Sequence, residues 1–195
     1  LFSGEIMKNT IFVSAISLAL IGVSACETTS SRPYSVSTEN VMAFQSALGD
    51  NKVQVSDFTL AEGVGENMTC RALGALEVAP GKTPVEFIEG AMRDELFTAG
   101  VYDAKNGVKI KGNIKELEFN SFGTGSWNIT LQLSSDNLPE GYQVSTEYEF
   151  KTSFSAISAC QNVIDAFTPA VQTLIGSVID HPDFGKLADK ARATS

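Results

Sequence analysis

Between Thr38 and Leu48 the residues Val41, Phe44, Ala47 and Leu48 recur at helical spacing, and Gly49 follows as a stop. The run Lys52–Leu60 alternates at Val53 and Val55, then changes parity to Phe58 and Leu60. This predicts a strand with a bulge near Ser56 and Asp57. A glycine turn, Glu62–Asn67, leads into "MTCRALGALEV", where Met68, Cys70, Ala72, Gly74, Leu76 and Val78 alternate as one face of a second strand. The clearest helix follows. Thr83 is its N-cap, Pro84 fits its first turn, Glu86 completes a capping box and Gly100 is the stop. Its predicted buried stripe is Val85, Ile88, Met92, Leu96 and Ala99.

Three further runs carry the strand period. Val108, Ile110 and Ile114 share a face, and Leu117 and Phe119 follow after a slip. Trp127, Ile129, Leu131 and Leu133 alternate with Asn128, Thr130 and Gln132. Tyr142, Val144, Tyr148, Phe150 and Phe154 alternate with Gln143, Ser145, Glu147 and Glu149. One polar and one apolar face per strand predicts an antiparallel meander covered on one side. Helical spacing returns with Cys160, Val163, Ile164, Phe167, Val171, Leu174, Ile175 and Val178. Pro169 lies inside that pattern, so a break or kink is expected there, with Thr168 as a cap, and "HPDFGKLADKAR" predicts a short last helix. The expected fold class is α+β: an antiparallel sheet of about four to five strands with helices packed on one face.

The first residues read differently. Lys8 after Met7 is a positive start, Ile11–Val23 is an apolar run, and Val23-Ser24-Ala25-Cys26 closes it. That run of about 13 residues is too short for the ~30 Å hydrocarbon core of a bilayer. Leu1–Ile6 are read as preceding the true start. The closing tetrapeptide resembles the lipobox of bacterial lipoprotein signals. The resemblance implies that residues 1–25 are a leader removed before Cys26, that Cys26 carries a diacylglycerol, and that its new amine is acylated, palmitate being the typical chain. Two or more chains anchor a protein firmly where one does not. A plain signal peptide with an accidental cysteine, or a retained membrane anchor, are the alternatives. Glu27, where an enterobacterial-type lipoprotein retained at the inner membrane has aspartate, leans toward the outer membrane. Residues 26–37, polar and holding Pro33, read as a lipidated tether, and 38–195 as a single periplasmic domain.

With 14 Lys and Arg against 23 Asp and Glu, the net charge is −9 and no basic stripe is present. That disfavours nucleic acid and electrostatic docking on anionic headgroups. Besides Cys26, the chain has Cys70 and Cys160. In an oxidising envelope such a pair is expected to form a disulfide, and both point inward by pattern; two buried free thiols are the alternative.

Catalytic signatures are weak. His181 is the sole histidine, set before Pro182 at a helix junction, and a Ser126–His181 hydrolase is the only nucleophilic pairing worth stating. No metal site is expected, because imidazoles are lacking and Asp-x-Asp-x-Asp-Gly is absent. No cofactor is expected either. "GVGEN" and "GTGSW" read as hairpin turns. Glu86, Glu89, Asp94 and Glu95 share one helix off its apolar stripe, and read as a solvated face. The polar strand face offers a docking surface or ordinary solvated strands.

Phe87–Tyr102 followed by Val108–Phe119, a capped helix with a glycine stop beside a small antiparallel sheet, resembles small proteobacterial envelope lipoproteins of the transport-auxiliary and lipopolysaccharide-assembly type. The likeness covers about half of the chain, and the Cys70/Cys160 pair is not general to that group. The expectation is a non-enzymatic lipoprotein, membrane-bound through its lipid, facing the periplasm from the outer membrane and binding or scaffolding an envelope protein. The alternative is a carrier for a small apolar ligand or lipid held between helix and sheet.

Overall fold

The computed structural model describes residues 32–189; the leader, Cys26 and the first tether residues lie outside the described residues. The chain runs α1 (Thr38–Leu48), β1 (Val53–Val55), β2 (Thr59–Leu60), α2 (Pro84–Thr98), β3 (Val108–Asn120), β4 (Thr124–Ser135), β5 (Leu138–Lys151), α3 (Ala156–Asp180) and α4 (Phe184–Ala188). One sheet of five strands has the order β1-β3-β4-β5, with β2 beside β1 on the same edge of β3. The fold is α+β, with a mostly antiparallel sheet whose one face carries the helices.

The sheet is not a pure meander. β1 and β2 pair parallel to β3 (Val53 with Val108, Thr59 with Asn113), because α2 intervenes and returns the chain in the same direction. The expected bulge at Ser56–Asp57 is instead a break between β1 and β2. Phe58 crosses it and lays its ring on Gly112, where a Cβ would fall 2.5 Å from the ring. The slip of parity in β3 is a bulge between Ile114 and Glu116. It keeps Ile110, Ile114 and Leu117 on the buried face.

α3 is the backbone of the core. It runs unbroken through Pro169, contrary to the expected break. Proline removes one helical donor, but buried side chains on both sides of it, from Phe167 to Val178, hold the helix against the sheet and α1. All eight residues of its predicted stripe are buried. By length and composition α3 could cross a bilayer, yet over half of its apolar window is covered by the rest of the protein. Its N-cap is Ser155, whose hydroxyl accepts from the Ser158 N–H. A row of rings ties the layers together: Trp127 on β4 meets Phe167 at 4.7 Å, and Phe167 meets Phe87 on α2 at 5.2 Å. Trp127 Nε1 donates to the Val163 carbonyl (2.9 Å) and Tyr142 Oη to that of Val178 (2.9 Å).

α2 has the capping box read from the sequence: the Thr83 N–H donates to Glu86 Oε2 (2.9 Å), and the Glu86 N–H to Thr83 Oγ1 (3.2 Å). Its buried surface is wider than the predicted stripe, taking in Phe87, Ala91 and Glu95, because β1, α1 and α3 all pack on it. In α1, Ala47 is exposed and Asn40 is buried, the reverse of a purely apolar face.

Phe167→Ala is expected to lower the unfolding free energy by about 3–5 kcal/mol. Urea denaturation followed by the fluorescence of Trp127, the sole tryptophan, checks this.

Candidate docking surface

The segment carrying Cys70 is not a strand. Arg71 and Ala72 adopt φ of 45° and 59°, and one isolated bridge, Thr69 with Ala75, closes the loop. The alternation seen in sequence holds at Cys70, Leu76 and Val78, which are buried, and fails at Ala72 and Gly74, which are exposed. Left-handed backbone at two residues with a Cβ costs about 1–2 kcal/mol each. The loop therefore needs outside restraint.

Two restraints are present. Cys70 and Cys160 are joined as a disulfide across 90 residues, fastening the loop to the first turns of α3. Beside it, the Arg71 guanidinium reaches two other connections. Nε donates to Ser121 Oγ (3.2 Å), Nη2 to the Ser121 carbonyl, and Nη1 to the carbonyls of Ser153 (2.9 Å) and Phe154 (3.5 Å). It also lies over the Phe122 ring, 4.3 Å from the centroid. One cation thus knots the 68–75 loop, the β3–β4 turn and the β5–α3 junction.

The β3–β4 turn is Ser121–Gly123, so "GTGSW" enters β4 after its first glycine rather than forming the turn as a whole. Asn120 shapes it: its Oδ1 accepts from the Phe122 N–H (3.0 Å), and its Nδ2 donates to the carbonyls of Phe122 (2.9 Å) and Thr124 (3.0 Å). Gly123, at φ 60°, supplies the positive φ. "GVGEN" follows β2 but connects to no partner strand, so it is a loop and not a hairpin turn.

These three connections and the first turn of α3 hold large apolar side chains out in solvent. Phe154 is fully exposed (108%), Phe122 and Ile157 are each 66% exposed, and Leu73 is 43% exposed. Phe154 falls past the end of β5, so it does not extend the apolar face of that strand. Between Phe122 and Phe154 runs a groove of about 430 Å³, lined also by Arg71, Gly123, Thr152 and Ser153. Beyond Arg71 a second groove of about 400 Å³ borders the end of β3. Hydrophobic side chains fixed in the open on short, cross-linked connections make this end of the sheet the candidate docking surface.

The other residues singled out from sequence lie elsewhere. Ser126 is near the start of β4, while His181 stacks on Tyr142 (4.0 Å, 6° between planes), which pairs with Leu133 near the far end of β4. Seven positions along a strand are about 23 Å, so the structure does not bring Ser126 and His181 together. His181 caps α3, and its Nδ1 accepts from the Asp183 N–H (3.2 Å). The polar sheet face satisfies itself in part: Thr130 Oγ1 donates to Glu116 Oε2 and meets Ser145 Oγ, both at 2.9 Å. Among the described residues no group of three or more His, Cys, Asp or Glu is placed to hold a metal.

The acidic residues of α2 are not one solvated face. Glu86 caps the helix, Glu89 accepts from the Phe58 N–H (2.9 Å) and from Arg93, and Asp94 is exposed. Glu95 is fully buried. Burial raises its pKa, against hydrogen bonds from Tyr34, Ser37 and Asn40 that lower it. The residues read as the end of the tether are accordingly docked: the Tyr34 ring meets Phe87 edge-on at 5.7 Å, and its hydroxyl donates to Glu95.

Sequence reasoning missed Arg71, Phe122 and Ile157. The available signal was large apolar residues inside Ser-, Gly- and Thr-rich connections, "NSFGTG" and "TSFSAIS".

No protein-family model matches the chain, and no curated protein matches it. Among solved structures, a Xanthomonas campestris protein described under the family-model DUF330 is 12% identical, covering 66% of this chain and 84% of that chain at a TM-score of 0.46. A PelC dodecamer from Paraburkholderia phytofirmans is 11% identical, covering 72% of this chain and 88% of that chain at a TM-score of 0.34. At these scores neither likeness carries a functional assignment.

Replacing both Cys70 and Cys160 by Ala is expected to cost about 2–5 kcal/mol of stability, since the bridge closes a long loop. Chemical denaturation of the double variant beside the oxidised protein measures it.

Proposed function

We propose that this chain is a non-enzymatic envelope lipoprotein, lipid-anchored through Cys26 and facing the periplasm from the outer membrane, that binds a partner protein through its apolar tip. The observation that carries the binding reading is the exposure of Phe122, Phe154 and Leu73 on connections fixed by Arg71 and the disulfide, with Ile157 beside them in the first turn of α3. Exposed apolar side chains lower solubility unless something covers them, and rigid ones lose little entropy on being covered. The anchoring reading rests on the Val23–Cys26 tetrapeptide. The separation of Ser126 from His181 supports a role without catalysis. The carrier alternative needs room between α3 and the sheet, but Trp127, Val163 and Phe167 fill that layer with no exposed surface.

Three outcomes are expected. Cys26→Ala should leave the protein soluble or uncleaved on membrane fractionation; cleaved protein that stays with the membrane would defeat the anchoring reading. In-cell crosslinking of tagged full-length protein, read by mass spectrometry, should capture a stoichiometric envelope protein. A Phe122→Ser, Phe154→Ser variant should lose at least about tenfold of that yield, the equivalent of 1.4 kcal/mol. Co-purification of a lipid or small apolar molecule, with no protein captured, would favour the carrier.

A further inference from the structure

Glu95 is a carboxylate with no exposed surface and no part in any ion pair among the described residues. Its two oxygens differ sharply. Oε1 accepts from the Tyr34 hydroxyl, the Ser37 N–H (3.0 Å) and Asn40 Nδ2 (3.3 Å). Oε2 is equally buried and has no hydrogen-bond partner among the described residues. An ionised carboxylate shares its charge between both oxygens, and a bare charged oxygen in the interior is costly. A neutral acid suits this arrangement better: Oε1 is then the carbonyl that collects the donors, and Oε2 carries the proton.

The groups around it belong to one short stretch. Tyr34 and Ser37 close the segment read as the tether, Asn40 lies in the first turn of α1, and the same stretch is bound to α3. Asn40 Nδ2 donates to the Gln172 carbonyl (2.9 Å), and Gln172 Nε2 donates to the Ser35 carbonyl (2.8 Å). From the 32–37 segment the facing titratable group is Tyr34, and from α1 the facing group is the neutral Asn40; α3 reaches the cluster through the Gln172 carbonyl, and Asp94 on α2 adds negative charge beside Tyr34. None of these is a cation that could hold Glu95 ionised.

We propose that Glu95 is a proton-operated clamp on the root of the N-terminal segment: with a proton on Oε2 it fastens Tyr34, Ser37 and Asn40 to α2 and α3, and loss of that proton loosens them. The direction follows from burial, which raises the pKa of Glu95 in the docked state from its ordinary value. Docking is at full strength below that ordinary value and weakens as pH rises through the raised one. What the clamp governs rests on the reading of Cys26 as the lipid anchor. Freeing Tyr34 to Asn40 would add up to about 20 Å to the reach of the domain from the membrane. The clamp itself does not depend on lipidation.

Amide hydrogen exchange on the full-length protein in detergent, corrected for intrinsic rates, tests it on peptides covering residues 33–44 between pH 5 and pH 8. Protection in the wild type should fall by at least about tenfold across the range. Glu95→Gln, which keeps an oxygen acceptor without the charge, should hold near the wild-type pH 5 level throughout, while Glu95→Ala should be unprotected at every pH. Cys26→Ala should reproduce the wild-type profile, which separates this proposal from the anchoring reading. A wild-type profile that is flat with pH overturns the clamp whatever the variants do. Glu95→Gln as unprotected at pH 5 as Glu95→Ala, in a protein whose Trp127 fluorescence reports a native core, overturns it as well.

Discussion

The packing of α3 against β4 and β5 is the contact on which the rest depends. Its buried stripe supplies the apolar area that makes a five-stranded sheet stable with one face in water. Each other feature is fastened to it. Trp127 and Tyr142 donate to its carbonyls from the sheet, Cys160 bonds it to the 68–75 loop, and Gln172 binds it to the chain before α1. The persistence of the helix through Pro169 fits this weighting. One lost backbone hydrogen bond is small beside a stripe of side chains removed from water.

The same helix determines where the exposed surface sits. The junction leading into it from β5, the β3–β4 turn and the 68–75 loop meet at one end of the sheet, and none has secondary structure of its own to hold it. Arg71 and the disulfide take that place. Four donor contacts from one guanidinium to carbonyl and hydroxyl oxygens stiffen three loops, at the cost of left-handed backbone at Arg71 and Ala72. The product is an apolar surface that does not fold back on itself, and that is what a partner surface requires.

Much of the architecture was legible in the residues. The α2 capping box, the α3 stripe, the strand periods and the β3 slip all arise from near neighbours in the chain, where spacing alone sets the face a side chain takes. The misreadings share a different cause. Alternation through Ala72 and Gly74 rested on residues too small to favour either side. Glu95 lay beside the predicted stripe, and it is buried because α1, α3 and the Tyr34 segment close over that flank of α2. The direction of β1 and β2 was set by the crossover through α2, which no strand pattern encodes.

By itself, then, the sequence determined most of the elements, the α+β class and the lipobox-like run ending at Cys26, since these are written in local spacing and residue type. Tertiary structure alone decided that Arg71 gathers three connections, that Ser126 and His181 stay apart, and that Glu95 is buried with no cation paired to it among the described residues. Each of those depends on which distant segments share a neighbourhood. That is settled by how the apolar faces of the helices and the sheet are jointly removed from water, and no short stretch of the chain carries that information.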